Sequence, residues 1–346
     1  MKTRCAVLYE CNKPLVVEEL ILPELGYGQV LVRLVAAGIC HTQLLEIKGK
    51  KGTDKYLPHA LGHEGAGIVD AVGPGVSRVS KGDPVILSWI KGSGIDAGGT
   101  TYSKNGKKIN AGPITVYSDY SIMSENRLTK ISRDMPLDKA ALMGCALATG
   151  FGAVINTAHV EPGSSVAVFG AGGVGLCAIQ AAALRLASKI IAVDLYPRKL
   201  ETAKSLGATH AVNARTEDAV QSIISLTGGL GVDYAIEAAG AKESMEQAHQ
   251  VLRRQGGLAV LIGNLPHQTK ISIDPFEVIC GKRLVGSWGG ETKPERDFPR
   301  YVDLFLKGTL KLDALLSHSF SLEDINSAFE VLAKGEAARA IIQFHT

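Results

Sequence analysis

The stretch Val166-Ala-Val-Phe-Gly-Ala-Gly-Gly-Val-Gly175 runs four apolar residues straight into the spacing Gly170-x-Gly172-x-x-Gly175. An apolar strand that turns through glycines at those positions and enters a helix is the fingerprint of a dinucleotide-binding unit. The first glycine permits a tight turn, the second lets a pyrophosphate approach the backbone, and the third lets the helix lie close on the strand. A helix is expected from Val174 through Leu186, so that Gly173, Val174 and Gly175 turn its positive end toward the phosphates. The next apolar run, Lys189-Ile-Ile-Ala-Val-Asp194, ends in an acid 19 residues after Gly175. A carboxylate there accepts hydrogen bonds from the adenosine ribose hydroxyls, which favours NAD over NADP. Its charge opposes a 2′-phosphate by roughly 1 to 4 kcal/mol at contact range. Arg198 and Lys199 follow closely and leave room for some tolerance of NADP.

Outward from this stretch the chain changes rhythm. After it, apolar runs at Ile190–Asp194, His210–Asn213, Asp233–Glu237, Leu258–Gly263 and Arg283–Trp288 alternate with helical patterns. Together with Val166–Phe169 they describe an α/β, doubly wound parallel sheet of the Rossmann type. A helix is expected over Ala241–Arg254, closed by Gly256-Gly257. Before the fingerprint the chain is β-rich, with runs at Arg4–Tyr9, Leu15–Ile21, Gln29–Ala37, Ala66–Val72 and Asp83–Leu87 that suggest a small barrel. The tail carries a helix cap at Ser321-Leu-Glu-Asp324, a helix stop at Gly335 and a last strand at Ala338–Phe344, expected to return to the first part. The expected domains are 1–146 with 289–346, and 147–288. Lys91–Ser118, with six glycines, four lysines and no cysteine, reads as a mobile surface loop.

Composition narrows the class. A chain of 346 residues with 46% apolar content can bury two cores. A net charge of +3, from 37 basic and 34 acidic residues spread along the chain, offers no block for nucleic acid or an anionic membrane. No apolar run approaches the roughly 20 residues of a membrane span. Met1-Lys-Thr-Arg-Cys5 lacks the apolar centre of a signal peptide, so a cytoplasmic protein is expected. The six cysteines, at 5, 11, 40, 145, 177 and 280, are unevenly spaced, as reduced thiols and metal ligands are.

Cys40, His63 and Cys145 are three zinc-type ligands upstream of the fingerprint. Scattered cysteines and histidines are ordinary core residues more often than ligands, so the surrounding motifs matter. Gly38-Ile-Cys-His-Thr42, Gly62-His-Glu-Gly-Ala-Gly67 and Leu142-Met-Gly-Cys-Ala-Leu-Ala-Thr-Gly150 stand in order before the fingerprint, and Gly335-Glu-Ala-Ala-Arg339 stands after it. Across nearly its whole length the chain resembles the zinc-dependent medium-chain alcohol dehydrogenases, and in motifs it is most similar to their glutathione-dependent formaldehyde dehydrogenase branch.

The resemblance implies a GroES-like, β-rich catalytic domain beside the Rossmann domain. It implies one catalytic zinc on Cys40, His63 and Cys145, with one position open to substrate and with Glu64 as an alternative ligand or a tuner of the site. Thr42 is then the hydroxyl that takes the substrate proton and passes it to the nicotinamide ribose. His41 and Arg339 would contact the pyrophosphate and Lys199 the adenosine ribose. Leu45, Leu57 and Trp89 would line the substrate pocket, although each is equally at home in a core. The expected partner is a small alcohol or aldehyde. The assembly implied is a homodimer or homotetramer, for which Arg283–Gly290 is a candidate pairing segment.

The chain also departs from the family. The stretch that carries four structural-zinc cysteines in the family has none here, so a structural zinc is not expected. The glutathione-recognising arginine has no clear counterpart. Gln43 replaces an acid that orients the zinc-bound histidine, and Leu45 stands where some members carry a proton-relay histidine. His159, His210, His249 and His345 show no partner pattern. Two other readings remain open: a zinc-free NADPH reductase of the quinone or enoyl type on the same fold, and a non-catalytic dinucleotide sensor. The three ligands, Thr42 and Asp194 speak against both.

Overall fold

The computed structural model describes residues 1–335 and 337–344, so His345 lies outside the described residues. The chain divides into two compact units, Met1–Cys145 with Lys293–Thr346, and Ala146–Thr292. In chain order the first unit supplies β1 (Lys2–Leu8), β2 (Val16–Ile21), β3 (Gln29–Ile39), helix α1 (His41–Ile47) and β4 (His59–Ala60). It continues with β5 (Glu64–Val72), β6 (Pro84–Ser88), β7 (Thr100–Lys104), β8 (Lys107–Gly112), β9 (Tyr120–Ser124) and β10 (Leu128–Lys130). Strands β1, β2, β7, β8 and β4 close into a barrel. Alternate residues point inward, as the two-residue period of a strand requires. Cys5 and Val7 of β1, Leu20 of β2, Tyr102 of β7 and Ile109 of β8 therefore share one core.

Lys91–Ser118 is not the loop its glycines suggest. Its centre is the β7–β8 hairpin, which turns through Asn105 (φ 48°) and Gly106 (φ 77°). Two successive left-handed residues match the right-handed twist of paired strands, and Asn-Gly is the pair that adopts them most readily. Burial of Tyr102 and Ile109 then commits the hairpin to the barrel.

The second unit holds β11 (Ser165–Phe169), α2 (Gly173–Leu184), β12 (Lys189–Asp194), β13 (His210–Asn213), β14 (Tyr234–Glu237), α3 (Lys242–Gln250), β15 (Leu258–Leu261) and β16 (Arg283–Gly286). The strands are all parallel, in the order β13-β12-β11-β14-β15-β16. The order reverses between β11 and β14, and at such a switch point ligands bind beyond the carboxyl ends of the strands. Helix α3 stops at Gln250, not Arg254. Val251 and Leu252 are buried, Leu252 bridges Val232, and Arg253 donates from its backbone to the Val232 carbonyl (2.9 Å). These tertiary bonds end the helix before Gly256-Gly257 can.

Residues 289–292, expected with the catalytic part, pack in the second unit, where Thr292 Oγ1 donates to the Ala148 carbonyl (3.0 Å). The tail then returns to the first unit as β17 (Leu316–Phe320), α4 (Ile325–Ala333) and β18 (Arg339–Gln343). Asp324, not Ser321, occupies the cap position of α4, and Ser321 Oγ donates to the Asp324 carboxylate (2.6 Å). Gly335, at φ 72°, follows the helix end. Strand β18 pairs antiparallel with β3, Ala340 facing Ile39, in a sheet that also contains β5, β6, β9, β10 and β17. Among the described residues no single helix is long and apolar enough to cross a membrane.

Candidate active site

The site is built where β3 and β6 of the first unit end and β5, antiparallel to both, begins. Cys40 follows β3 directly and precedes α1. Tyr117, fully buried, fixes the end of that strand by donating from its hydroxyl to the Gly38 carbonyl (3.0 Å). A side chain at Gly38 would meet the Glu64 carboxyl at 2.6 Å, so β3 and β5 approach closely there. His63 and Glu64 lie at the start of β5. Cys145 is held by the turn before it: Ser88 at the end of β6 donates to the Gly144 carbonyl (2.6 Å), and a Cβ on Gly144 would meet the Leu87 carbonyl oxygen at 2.4 Å. Neither Ser88 nor Tyr117 carries a sequence signal for this role.

The donor atoms of Cys40, His63, Glu64 and Cys145 all lie within 4.8 Å of one another. His63 Nε2 is 3.2 Å from Cys145 Sγ. Cys40 ionises far more readily than a buried thiol normally does. The hydrogen bond with Cys145 is the main cause, working against burial and helped by His63 and the charge of Arg339. Cys5 and Cys177, equally buried but without such partners, are pushed up instead. Two thiolates and an imidazole that converge away from water form a donor set that fits Zn²⁺.

Gln43, on α1, places its amide Nε2 against His63 Nδ1, and its buried Oε1 has no partner. When Nε2 of His63 serves as a ligand, Nδ1 carries the proton and needs an acceptor. A half-turn of the Gln43 amide presents Oε1 for that purpose. A neutral amide thus stands on the His63 ring where the resemblance implies an orienting acid. Arg339 does not stand open to a pyrophosphate: it is 5% exposed, and its Nη2 lies on Glu64 Oε1. Glu64, fully buried, therefore shares a carboxylate oxygen with a guanidinium, which tempers its capacity as a zinc ligand.

Of the expected pocket residues, Trp89 stands edge-on to His63 with ring centroids 6.5 Å apart, and its backbone N–H donates to the His63 carbonyl (3.0 Å). Arg127 binds the Trp89 carbonyl from behind, a role with no sequence signal. Leu45 is buried on α1, and Leu57 is half-buried against the core of the first unit. Thr42 is half-buried and His41 exposed on the same helix.

In the second unit the fingerprint glycines divide their tasks. Gly170 (φ 89°) makes the turn, and a Cβ there would meet Ala239 at 2.8 Å. A Cβ on Gly175 would meet the Gly170 carbonyl oxygen at 1.8 Å, so helix and turn touch. Nothing lies within 4 Å of a Cβ on Gly172. No contact within the protein demands a glycine at that position, as expected where a ligand's phosphates come close. Asp194 accepts from the Ala171 amide (2.7 Å) and the Tyr196 amide (3.0 Å), tying the end of β12 to the fingerprint turn. Lys199 Nζ stands 5.0 Å from the Tyr196 ring centre.

Residues 26–133 match the family described as alcohol dehydrogenase GroES-like domain, and residues 173–307 the one described as zinc-binding dehydrogenase. S-(hydroxymethyl)glutathione dehydrogenase of Synechocystis sp. is 35% identical over 99% of this chain and 100% of that protein. Alcohol dehydrogenase class-3 of Cereibacter sphaeroides is 34% identical over 99% and 100%. The crystal structure of benzyl alcohol dehydrogenase from Acinetobacter calcoaceticus superposes with a TM-score of 0.89 at 31% identity, covering all of both chains. The chain belongs to the zinc-binding medium-chain alcohol dehydrogenase family. It is a zinc-dependent oxidoreductase that acts on CH–OH groups.

Proposed function

We propose that this enzyme interconverts a primary or secondary alcohol with its aldehyde or ketone, with NAD as hydride carrier and one catalytic zinc held by Cys40, His63 and Cys145. The observation that carries this reading is the convergence of two buried cysteines, His63 and Glu64 within 4.8 Å. Zinc, when bound, supplies a Lewis acid that eases ionisation of an alcohol hydroxyl or polarises a carbonyl. The chain's own residues do the rest. Gln43 holds the His63 ring, Trp89 walls the site, and the half-buried Thr42 hydroxyl receives the proton that an alcohol gives up. His41 and Arg339 are assigned to the cofactor pyrophosphate, Arg339 by exchanging its contact with Glu64. Gly170, Gly172, Gly173, Val174 and Gly175 cradle that pyrophosphate, and Asp194 and Lys199 face the adenosine ribose. Leu45 and Leu57 complete the substrate wall. The reading extends to a cytoplasmic homodimer or homotetramer without a structural zinc.

Cofactor choice tests the Asp194 assignment. In Asp194→Ser the repulsion of a 2′-phosphate and the ribose hydrogen bonds are both lost. The ratio of kcat/KM with NAD to that with NADP should fall at least tenfold, roughly 1.4 kcal/mol. A wild-type enzyme that already prefers NADP overturns the assignment.

The proton path gives a second test. Thr42→Ala should cut alcohol oxidation about 10²-fold, the usual loss when a positioned proton-transfer group is removed. Leu45 cannot carry a proton onward, so Leu45→His should raise oxidation modestly near pH 7 by adding a base of pKa about 6.5. Rates measured from pH 6 to 10 check both, and a fully active Thr42→Ala enzyme rules the path out.

A further inference from the structure

The segment between α1 and β4 gathers a second set of metal-type donors that the proposed reaction does not use. Glu46 stands on the last turn of α1, Asp54 in the connecting segment, and His59 opens β4. Their donor atoms all lie within 4.8 Å of one another. Both ring nitrogens of His59 are held: Nδ1 lies 3.2 Å from the Ala60 carbonyl oxygen and Nε2 2.9 Å from Asp54 Oδ2. The tautomer that offers Nε2 to a metal keeps its hydrogen on Nδ1, where the Ala60 carbonyl is placed to accept it, the arrangement that orients a ligating imidazole. The His59 and Asp54 side chains are only 9% and 11% exposed, so the contact is largely shielded from water.

Either a hydrogen bond or a metal ion can join His59 to Asp54, and Glu46 favours the metal. A hydrogen bond from Nε2 serves Asp54 alone, while the Glu46 carboxylate beside it is met by an exposed Lys51 Nζ at 3.8 Å. A divalent ion answers both carboxylates and the imidazole and leaves the set neutral. Asp54 is already oriented, because its Oδ1 accepts from the Tyr56 amide (2.9 Å). One imidazole nitrogen and two carboxylate oxygens form a donor set suited to zinc, with water in the remaining position. Metal–ligand lengths near 2.0 to 2.2 Å set tetrahedral ligands about 3.3 Å apart, so His59 and Asp54 open by about 0.4 Å while Glu46, within 4.8 Å of both, closes toward them.

We infer that Glu46, Asp54 and His59 form a second divalent-cation site, distinct from the cysteine set and suited to Zn²⁺. An ion there ties the end of α1 to β4 and fixes the intervening segment, which carries Leu57. This site does not depend on the role proposed for Cys40, His63 and Cys145.

Equilibrium dialysis of the full-length holoenzyme against graded micromolar Zn²⁺, with metal per chain counted by mass spectrometry, tests it. Wild type should take up one equivalent beyond the cysteine-held zinc. Glu46→Gln and His59→Gln should each weaken that uptake by at least about tenfold, since losing even a residue that only orients a ligand costs about 10- to 100-fold. Glu46 lies near the surface, so its variant keeps the test sound if His59→Gln fails to fold. Cys145→Ser should retain the extra equivalent, and Co²⁺ bound in its place should lack thiolate charge-transfer bands. No extra equivalent, or uptake unchanged in Glu46→Gln, overturns the site and leaves a plain hydrogen bond between His59 and Asp54. Loss of the extra equivalent in Cys145→Ser assigns it to the cysteine set and overturns the site equally.

Discussion

Cys145→Ala should lower kcat/KM for alcohol oxidation by at least about 10³-fold and release the cysteine-held zinc. The size follows from the chemistry: a Lewis acid contributes several kcal/mol to the developing charge, and each 1.36 kcal/mol is about tenfold in rate. One substitution should remove more than one ligand. Cys145 is the main cause of the easy ionisation of Cys40, and its Sγ lies 3.2 Å from His63 Nε2. Without it Cys40 loses the largest influence that opposes burial, and only His63 and the Arg339 charge remain to favour its ionisation. NAD affinity, measured by calorimetry, should stay within about twofold, because Cys145 is not among the residues assigned to the cofactor. A zinc-free Cys145→Ala enzyme that retains turnover would show that the metal is not catalytic.

Features of the site were legible in the sequence to the degree that they are local. The fingerprint lies within ten consecutive residues, and its three glycines have separate physical reasons that the spacing alone encodes. Cys40, His63 and Cys145 were legible as residue types inside motifs, but their convergence depends on the start of β5 lying between the ends of β3 and β6. The contact of Arg339 with Glu64, and the set formed by Glu46, Asp54 and His59, had no signal, since nothing in a one-dimensional pattern brings those residues together. The β7–β8 hairpin was different. Asn105-Gly106 announced it, but the surrounding glycines and lysines suggested a loop, and the alternation of Tyr102 and Ile109 with polar neighbours was the better guide. The end of α3 departs from its sequence signal for the opposite reason: the glycine stop is present, but the bridge from Leu252 to Val232 acts first.

The 91–118 segment, which carries no cysteine, is anchored by a buried carboxylate. Glu125, 1% exposed, accepts from the Ser77 and Arg78 amides through Oε1 (both 2.7 Å) and from the Ile95 amide through Oε2 (2.9 Å). One carboxylate thus pins the loop after β5 and the start of the 91–118 segment. Glu125→Ala leaves three amides without their charged acceptor. Each such bond is worth roughly 1.5 to 3 kcal/mol, and water can replace part of it near the surface, so the net loss should be roughly 2 to 4 kcal/mol.

The pH dependence has a definite sign. Burial pushes the Glu125 carboxyl up, but the amides of Ile95, Ser77 and Arg78, with the Arg78 charge, outweigh it and hold the group below its ordinary value of 4.5. A depressed folded pKa adds stability above the unfolded pKa and loses it as pH falls through the folded pKa. The midpoint gap between wild type and Glu125→Ala should therefore be full at pH 7 and shrink below about pH 4.5. Glu125→Gln should fall between the two, because its oxygen can still serve Ser77 and Arg78 while its NH₂ opposes the Ile95 amide. Thermal unfolding of the three proteins from pH 3.5 to 7 checks the ordering, and an alanine variant that melts with wild type at pH 7 removes Glu125 as the anchor of this segment.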